Sequence, residues 1–145
     1  MACKRVAGRT VIQEGDAVIT LKDYWMGRDS TYADELTPEV VANATVTVYR
    51  ASQLLYAFGE ERAVTSGWRP KAVNTSTPGA ALFSKHMTGQ AVDLADPHGD
   101  LDEWCMSNPG LLAALELWQE HPSATKGWCH VQIVPPKSGK RVFFP

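Results

Sequence analysis

Residues 84–96 read SKHMTGQAVDLAD. The second half alternates small or apolar residues through a single carboxylate, which predicts a strand over 90–95. Ala91, Asp93 and Ala95 then share one face, with Val92 and Leu94 on the other. A carboxylate inside an apolar strand is costly unless it is paired or binds a metal. His86 stands seven residues before Asp93 with Gly89 between them, so a turn there would swing the imidazole back toward the carboxylate. The stretch is therefore either a turn running into a strand or two arms of a metal site.

Working outward, KGWCHVQIV at 126–134 predicts a second strand, with Trp128, His130, Gln132 and Val134 on one face. If the two strands are neighbours with matching faces, Asp93 and His130 converge. Two imidazoles and a carboxylate, with one position left open, form a donor set suited to catalytic zinc. A strand histidine satisfied by ordinary packing is the competing reading. Cys129 points to the opposite face and is expected in the core, which also rules out a Cys129/His130 nucleophile pair.

Upstream, Thr37 and Pro38 make a helix start. Val40, Val41, Ala44, Val48, Ala51, Leu55 and Phe58 then follow helical spacing up to Gly59. The β-branched run inside it, ATVTV, dissents locally. TLKDYWMGRD (20–29) predicts a short helix capped by Thr20, with Gly27 near its end, and STYADEL (30–36) a loop. Residues 1–19 read as irregular or as a short strand. RAVTSGWRP (62–70) predicts a strand ending in a turn, 71–89 a loop, and 96–110 mostly loop with one helical turn. NPGLLAALELWQEH (108–121) reads as a helix with Asn108 as its cap, and 135–145 as a turn and a final short strand. Helices first, then strands mixed with one helix, predict an α+β fold: a small antiparallel sheet flanked by helices, with the site on the sheet face. One domain spanning 1–145 is expected from the length.

With 44% hydrophobic and 21% charged residues the composition is that of a globular protein, and a net charge of −2 gives no reason to expect nucleic acid as a partner. No apolar run approaches the roughly 20 residues of a membrane span. The first sixteen residues lack the apolar segment of a secretion signal. Cys3, Cys105 and Cys129 have no metal-binding spacing and are expected to be mostly reduced, with one disulfide left open.

Ser84, His86, Gly89, Ala91 and Asp93 resemble the motif of zinc D-alanyl-D-alanine carboxypeptidases and the related L-alanyl-D-glutamate endopeptidases. TSGWRP (65–70) resembles that family's Ser-Gly-aromatic-Arg turn, and WCHVQI (128–133) its last ligand strand. Three matches in the family's order cover roughly residues 37–134. The resemblance implies zinc at His86, Asp93 and His130, with Arg69 gripping substrate through its two-pronged guanidinium. Ser84 would orient a ligand or bind substrate.

The chain departs from the family at one point. Many members carry an acid three residues before the final histidine, to serve as general base, and this chain has Gly127 there. Glu120 is the first candidate to substitute, then His121, with Asp96, His98 and Asp100 as further alternatives. Trp68 and Trp128 are read as cleft walls or as core. The implied function is zinc-dependent hydrolysis of a bond in peptidoglycan stem peptides, as carboxypeptidase or endopeptidase, in phage-type lysis. The protein would be a monomer, made in the cytoplasm and acting on the cell wall after release or delivery. A zinc-containing binding or structural domain with little catalysis is the alternative.

Overall fold

The computed structural model describes residues 18–145 and the backbone of two short paired strands, β1 (Lys4–Val6) and β2 (Arg9–Val11). Cys3, and the rest of the stretch read as irregular before residue 18, lie outside the described residues. The chain continues through α1 (Leu21–Trp25), α2 (Arg28–Thr31), a 3-10 turn at Ala33–Glu35 and the long α3 (Pro38–Phe58). Then come β3 (Val64–Ser66), α4 (Lys71–Ser76), β4 (Ala91–Asp96), α5 (Asp100–Met106) and α6 (Pro109–Ala114). The chain ends with β5 (Trp118–Glu120), β6 (Gly127–Gln132) and β7 (Val142–Phe143).

The helix beginning at Thr37 forms where the spacing placed it. The Thr37 hydroxyl accepts from Val40 N at 3.2 Å, and Gly59 closes the helix in the left-handed region, φ 91°. Its β-branched run stays helical because Val48 is buried, an aliphatic chain worth about 1.5–3 kcal/mol, and the buried Thr47 hydroxyl donates to the Gly89 carbonyl at 2.7 Å. That exceeds the propensity deficit of a few tenths of a kcal/mol per residue. Val41, expected on the apolar face, is exposed.

β3–β4–β6–β5–β7 form a five-stranded sheet. Val92, Leu94, Cys129 and Val131 point to its back, joining Ala44, Val48, Ala51, Leu54 and Leu55 of α3 in one core. The fold is α+β as expected, but the sheet is mixed, because β7 runs parallel to β5. β6 already has β4 on one side and β5 on the other, so the chain leaving it cannot pair beside it. It turns back and adds outside β5, in the direction of β5.

Three further departures from the sequence reading have local causes. The helix expected over 108–121 stops at Ala114. Glu116 takes a left-handed conformation, φ 54°, and Arg50 grips both its carbonyl (3.0 Å) and its carboxylate (3.3 Å). The remaining residues are then recruited as β5 by the free edge of β6. The expected loop at 71–89 opens with α4, where Thr75 and Ser76 hydroxyls donate back to the Lys71 and Ala72 carbonyls at 2.8 and 3.1 Å. The 96–110 stretch holds a full helix, α5, because the Asp96 carboxylate accepts from Leu101 N and Asp102 N at 3.0 and 2.8 Å. The short helix after Thr20 forms as expected, with its capping box; Met26 caps its end, and Gly27 just beyond caps the start of α2.

Two glycines let helices lie against the site's backbone. A Cβ on Gly67 would fall 2.0 Å from the Tyr24 carbonyl oxygen, and one on Gly89, at φ 76°, would fall 2.8 Å from the Val40 oxygen. The Thr47 hydroxyl donates to the Gly89 carbonyl at 2.7 Å, and the Tyr24 hydroxyl to that of Ala91 at 2.7 Å. The stretch between His86 and Asp93 is thereby pinned to two helices.

Candidate metal centre and cleft

Strand register lines up the site. Ser66 of β3 pairs with Asp93 of β4, and Asp93 pairs with His130 of β6. Trp118 and Gln119 of β5 pair with Gln132 and Val131, so the same register carried one residue further sets Glu120 level with His130. Directly opposed residues share a face, and one row across the sheet therefore holds Ser66, Asp93, His130 and Glu120. His86 reaches the row from the turn before β4, where its carbonyl accepts from Arg69 N at 3.0 Å and Gly89 N at 3.3 Å.

Asp93 Oδ1 lies 2.8 Å from His130 Nδ1 and 3.3 Å from His86 Nε2. All three side chains are buried, and their candidate ligand atoms fall within 4.8 Å of one another. Each imidazole is held from behind. His86 Nδ1 is 2.8 Å from the Gly67 carbonyl, which can only accept, so the proton is on Nδ1 and Nε2 offers a lone pair. The Gln132 amide nitrogen donates to the Val134 carbonyl at 2.9 Å. That orientation turns its oxygen to His130 Nε2 at 3.0 Å and leaves Nδ1 toward Asp93.

The donor chemistry fits a divalent cation. Two imidazole nitrogens and a carboxylate oxygen converge, and the second nitrogen of each ring is already engaged, as metal-ligating histidines require. Without a cation, a proton at His130 Nδ1 joins the ring to the carboxylate, and metal binding would displace it. Burial alone would raise the Asp93 carboxyl, but His86 and His130 together pull it well below the usual carboxylate range. Burial lowers His86 and keeps it neutral; burial also opposes the charged form of His130, but the bond to Asp93 and its charge, with Gln132 and Glu120, together outweigh it and raise that ring.

Arg69 borders the same carboxylate. Its guanidinium reaches Asp93 Oδ2 at 3.4 Å, Ser66 Oγ at 2.9 Å and Asn74 Oδ1 at 3.5 Å, while facing an open cleft of about 750 Å³. Ser84 also lines the cleft, and its hydroxyl accepts from His86 N at 3.2 Å, shaping the ligand turn. Trp128 is a cleft wall. Trp68 is core, 1% exposed, and packs edge-on against Trp25.

Of the residues weighed as general base, Glu120 alone lines this cleft among the described residues. It lies on β5 and not at the end of a helix as its sequence suggested. Burial raises its carboxyl above the ordinary glutamate value, and the Asp93 charge adds to the rise while His130 opposes it. His121 does not line the cleft; its ring stacks on Phe144, with ring centroids 4.4 Å apart. Asp96 caps α5 and pairs with Arg62, Asp100 pairs with Arg62 as well, and His98 is exposed. Gly127, at the family's usual acid position, adopts φ 101° at the start of β6. Cys129 and Cys105 are free and buried on the far side of the sheet. Gln132 and the Gly67 carbonyl were not singled out from the sequence. Gln132 had a usable signal, since it follows His130 by two residues on the same strand face, while a backbone carbonyl has none.

An α+β fold with a His-Asp-His group at the floor of a cleft is a framework for metal-assisted hydrolysis. A family model described as peptidase M15 matches residues 30–108, more than half of the 145 residues, and the chain belongs to that family of peptidases. The matched segment contains Arg69, Ser84, His86 and Asp93; His130 and Glu120 lie beyond it. No curated protein and no solved structure gives a significant match.

Proposed function

We propose that the protein is a zinc-dependent peptidase that cleaves a peptide bond in peptidoglycan stem peptides, as carboxypeptidase or endopeptidase, with residues 1–145 acting as one domain. The observation that carries this reading is the convergence of His86 Nε2, His130 Nδ1 and Asp93 Oδ1, each ring fixed from behind. Zinc held by these three side chains would supply Lewis acidity toward a peptide carbonyl and toward water. The remaining roles fall to the chain itself. Glu120, half-buried and raised by burial, accepts a proton from the attacking water and returns it to the leaving amine. Arg69 binds a carboxylate or carbonyl oxygen of the substrate from the β3 side, and Ser84 holds the turn that presents His86. Phage-type lysis, with delivery to the cell wall, is the setting that the resemblance implies.

Metal analysis of the purified protein combined with mass spectrometry of digested peptidoglycan tests the proposal. Released D-alanine identifies a carboxypeptidase, and a cut after L-alanine an endopeptidase. Gly127 at the usual acid position favours a second reading, a zinc-containing domain that binds but does not cleave. Zinc at one equivalent without any cleavage product would establish that alternative and exclude the first.

A further inference from the structure

The two histidines of the site are secured differently. His86 leans on the backbone carbonyl of Gly67, which no substitution removes. His130 leans on a side chain, Gln132, whose oxygen is 3.0 Å from Nε2. Gln132 is 4% exposed and sits on β6 between Ala91 of β4 and Trp118 of β5, so its side chain has little room to swing. Its amide nitrogen is committed to the Val134 carbonyl at 2.9 Å. A flipped amide would set its NH₂ against the Nε2 proton and its oxygen against that carbonyl, two repulsive contacts in place of two hydrogen bonds.

We infer that Gln132 is a positioning residue: it holds the His130 ring with Nε2 protonated, so that Nδ1 is aimed at the point shared with His86 Nε2 and Asp93 Oδ1. This rests on the reading of those three side chains as metal ligands. An acceptor on the far nitrogen also makes the near nitrogen more basic, and loss of such a partner costs about 10–100-fold in metal affinity. Gln132 borders the cleft too, so direct contact with substrate is the competing role.

The test compares zinc dissociation constants, by chelator competition, for wild type, Gln132→Met and Gln132→Glu. Nitrogen-15 imidazole spectra of the metal-free wild type accompany them. Gln132→Met should bind zinc about 10–100-fold more weakly, and Gln132→Glu, which keeps an acceptor facing Nε2 but sets an oxygen against the Val134 carbonyl, should recover part of the loss. The wild-type spectrum should show a proton on His130 Nε2 that exchanges slowly. Unchanged zinc affinity in Gln132→Met, with or without a raised KM, would overturn the assignment, as would a bare Nε2 in the spectrum. If wild type takes up no zinc, the metal reading falls, and the spectrum alone still decides whether Gln132 sets the ring. If Gln132→Met does not fold, the spectrum and Gln132→Glu carry the decision.

Discussion

Asp93 and His130 face each other across β4 and β6, with Oδ1 2.8 Å from Nδ1 in a buried setting. A carboxylate and an imidazole this close, joined by His86 Nε2 at 3.3 Å, are stable only with a proton or a cation between them. Metal occupancy is therefore the first quantity to measure. Purified wild type supplied with zinc should hold one equivalent, and His86→Ala should lose most of it. Wild type that holds none under these conditions sinks the assignment of all three ligands.

Arg69 is the test of substrate holding. Arg69→Ala should lower kcat/KM on peptidoglycan fragments while zinc content stays near wild type. Arg69→Lys should restore only part of the activity, since a point charge cannot reproduce a two-pronged guanidinium. Because the guanidinium also lies 3.4 Å from Asp93 Oδ2, zinc lost along with activity would assign Arg69 to the support of that ligand instead.

Glu120 carries the proton-transfer prediction. Glu120→Gln keeps the shape of the side chain and removes the titrating group, so turnover should fall about 10²–10⁴-fold with zinc retained. His121→Ala, outside the cleft and stacked on Phe144, should leave turnover within a few-fold of wild type. The opposite pattern would move the base to His121. Full activity in both variants would remove Glu120 from the mechanism.

Gly67 joins fold and site. Its φ is ordinary, yet an added methyl would meet the Tyr24 carbonyl oxygen at 2.0 Å, backbone against backbone. Gly67→Ala should destabilise the protein by about 1–3 kcal/mol, the usual cost of overpacking, read by urea unfolding. The same shift would move the carbonyl that holds His86 Nδ1, so zinc affinity should weaken in parallel. Wild-type stability in this variant would mean that α1 can withdraw from the turn at no cost.

Much of this protein is legible in local sequence. Alternation fixed the faces of β4 and β6, so Asp93 and His130 could be placed opposite Val92, Leu94 and Cys129 without any coordinates. Thr37, Pro38 and the apolar spacing set α3, because caps and a buried stripe act within a few residues of one another. Tertiary structure alone decided the rest. Residues 118–120 read as the end of a helix capped at Asn108 and became β5 because an unpaired edge of β6 and the Arg50–Glu116 clasp lay within reach. That pairing puts Glu120 beside His130, ten residues apart in sequence, and it also sends β7 parallel to β5. The choice of Gln132 and the Gly67 carbonyl as supports behind the two imidazoles belongs to the same category. Which nitrogen of a histidine faces a metal depends on what lies behind the ring, and that is set by register between strands and by a turn far away in the chain, not by the residues adjoining the histidine.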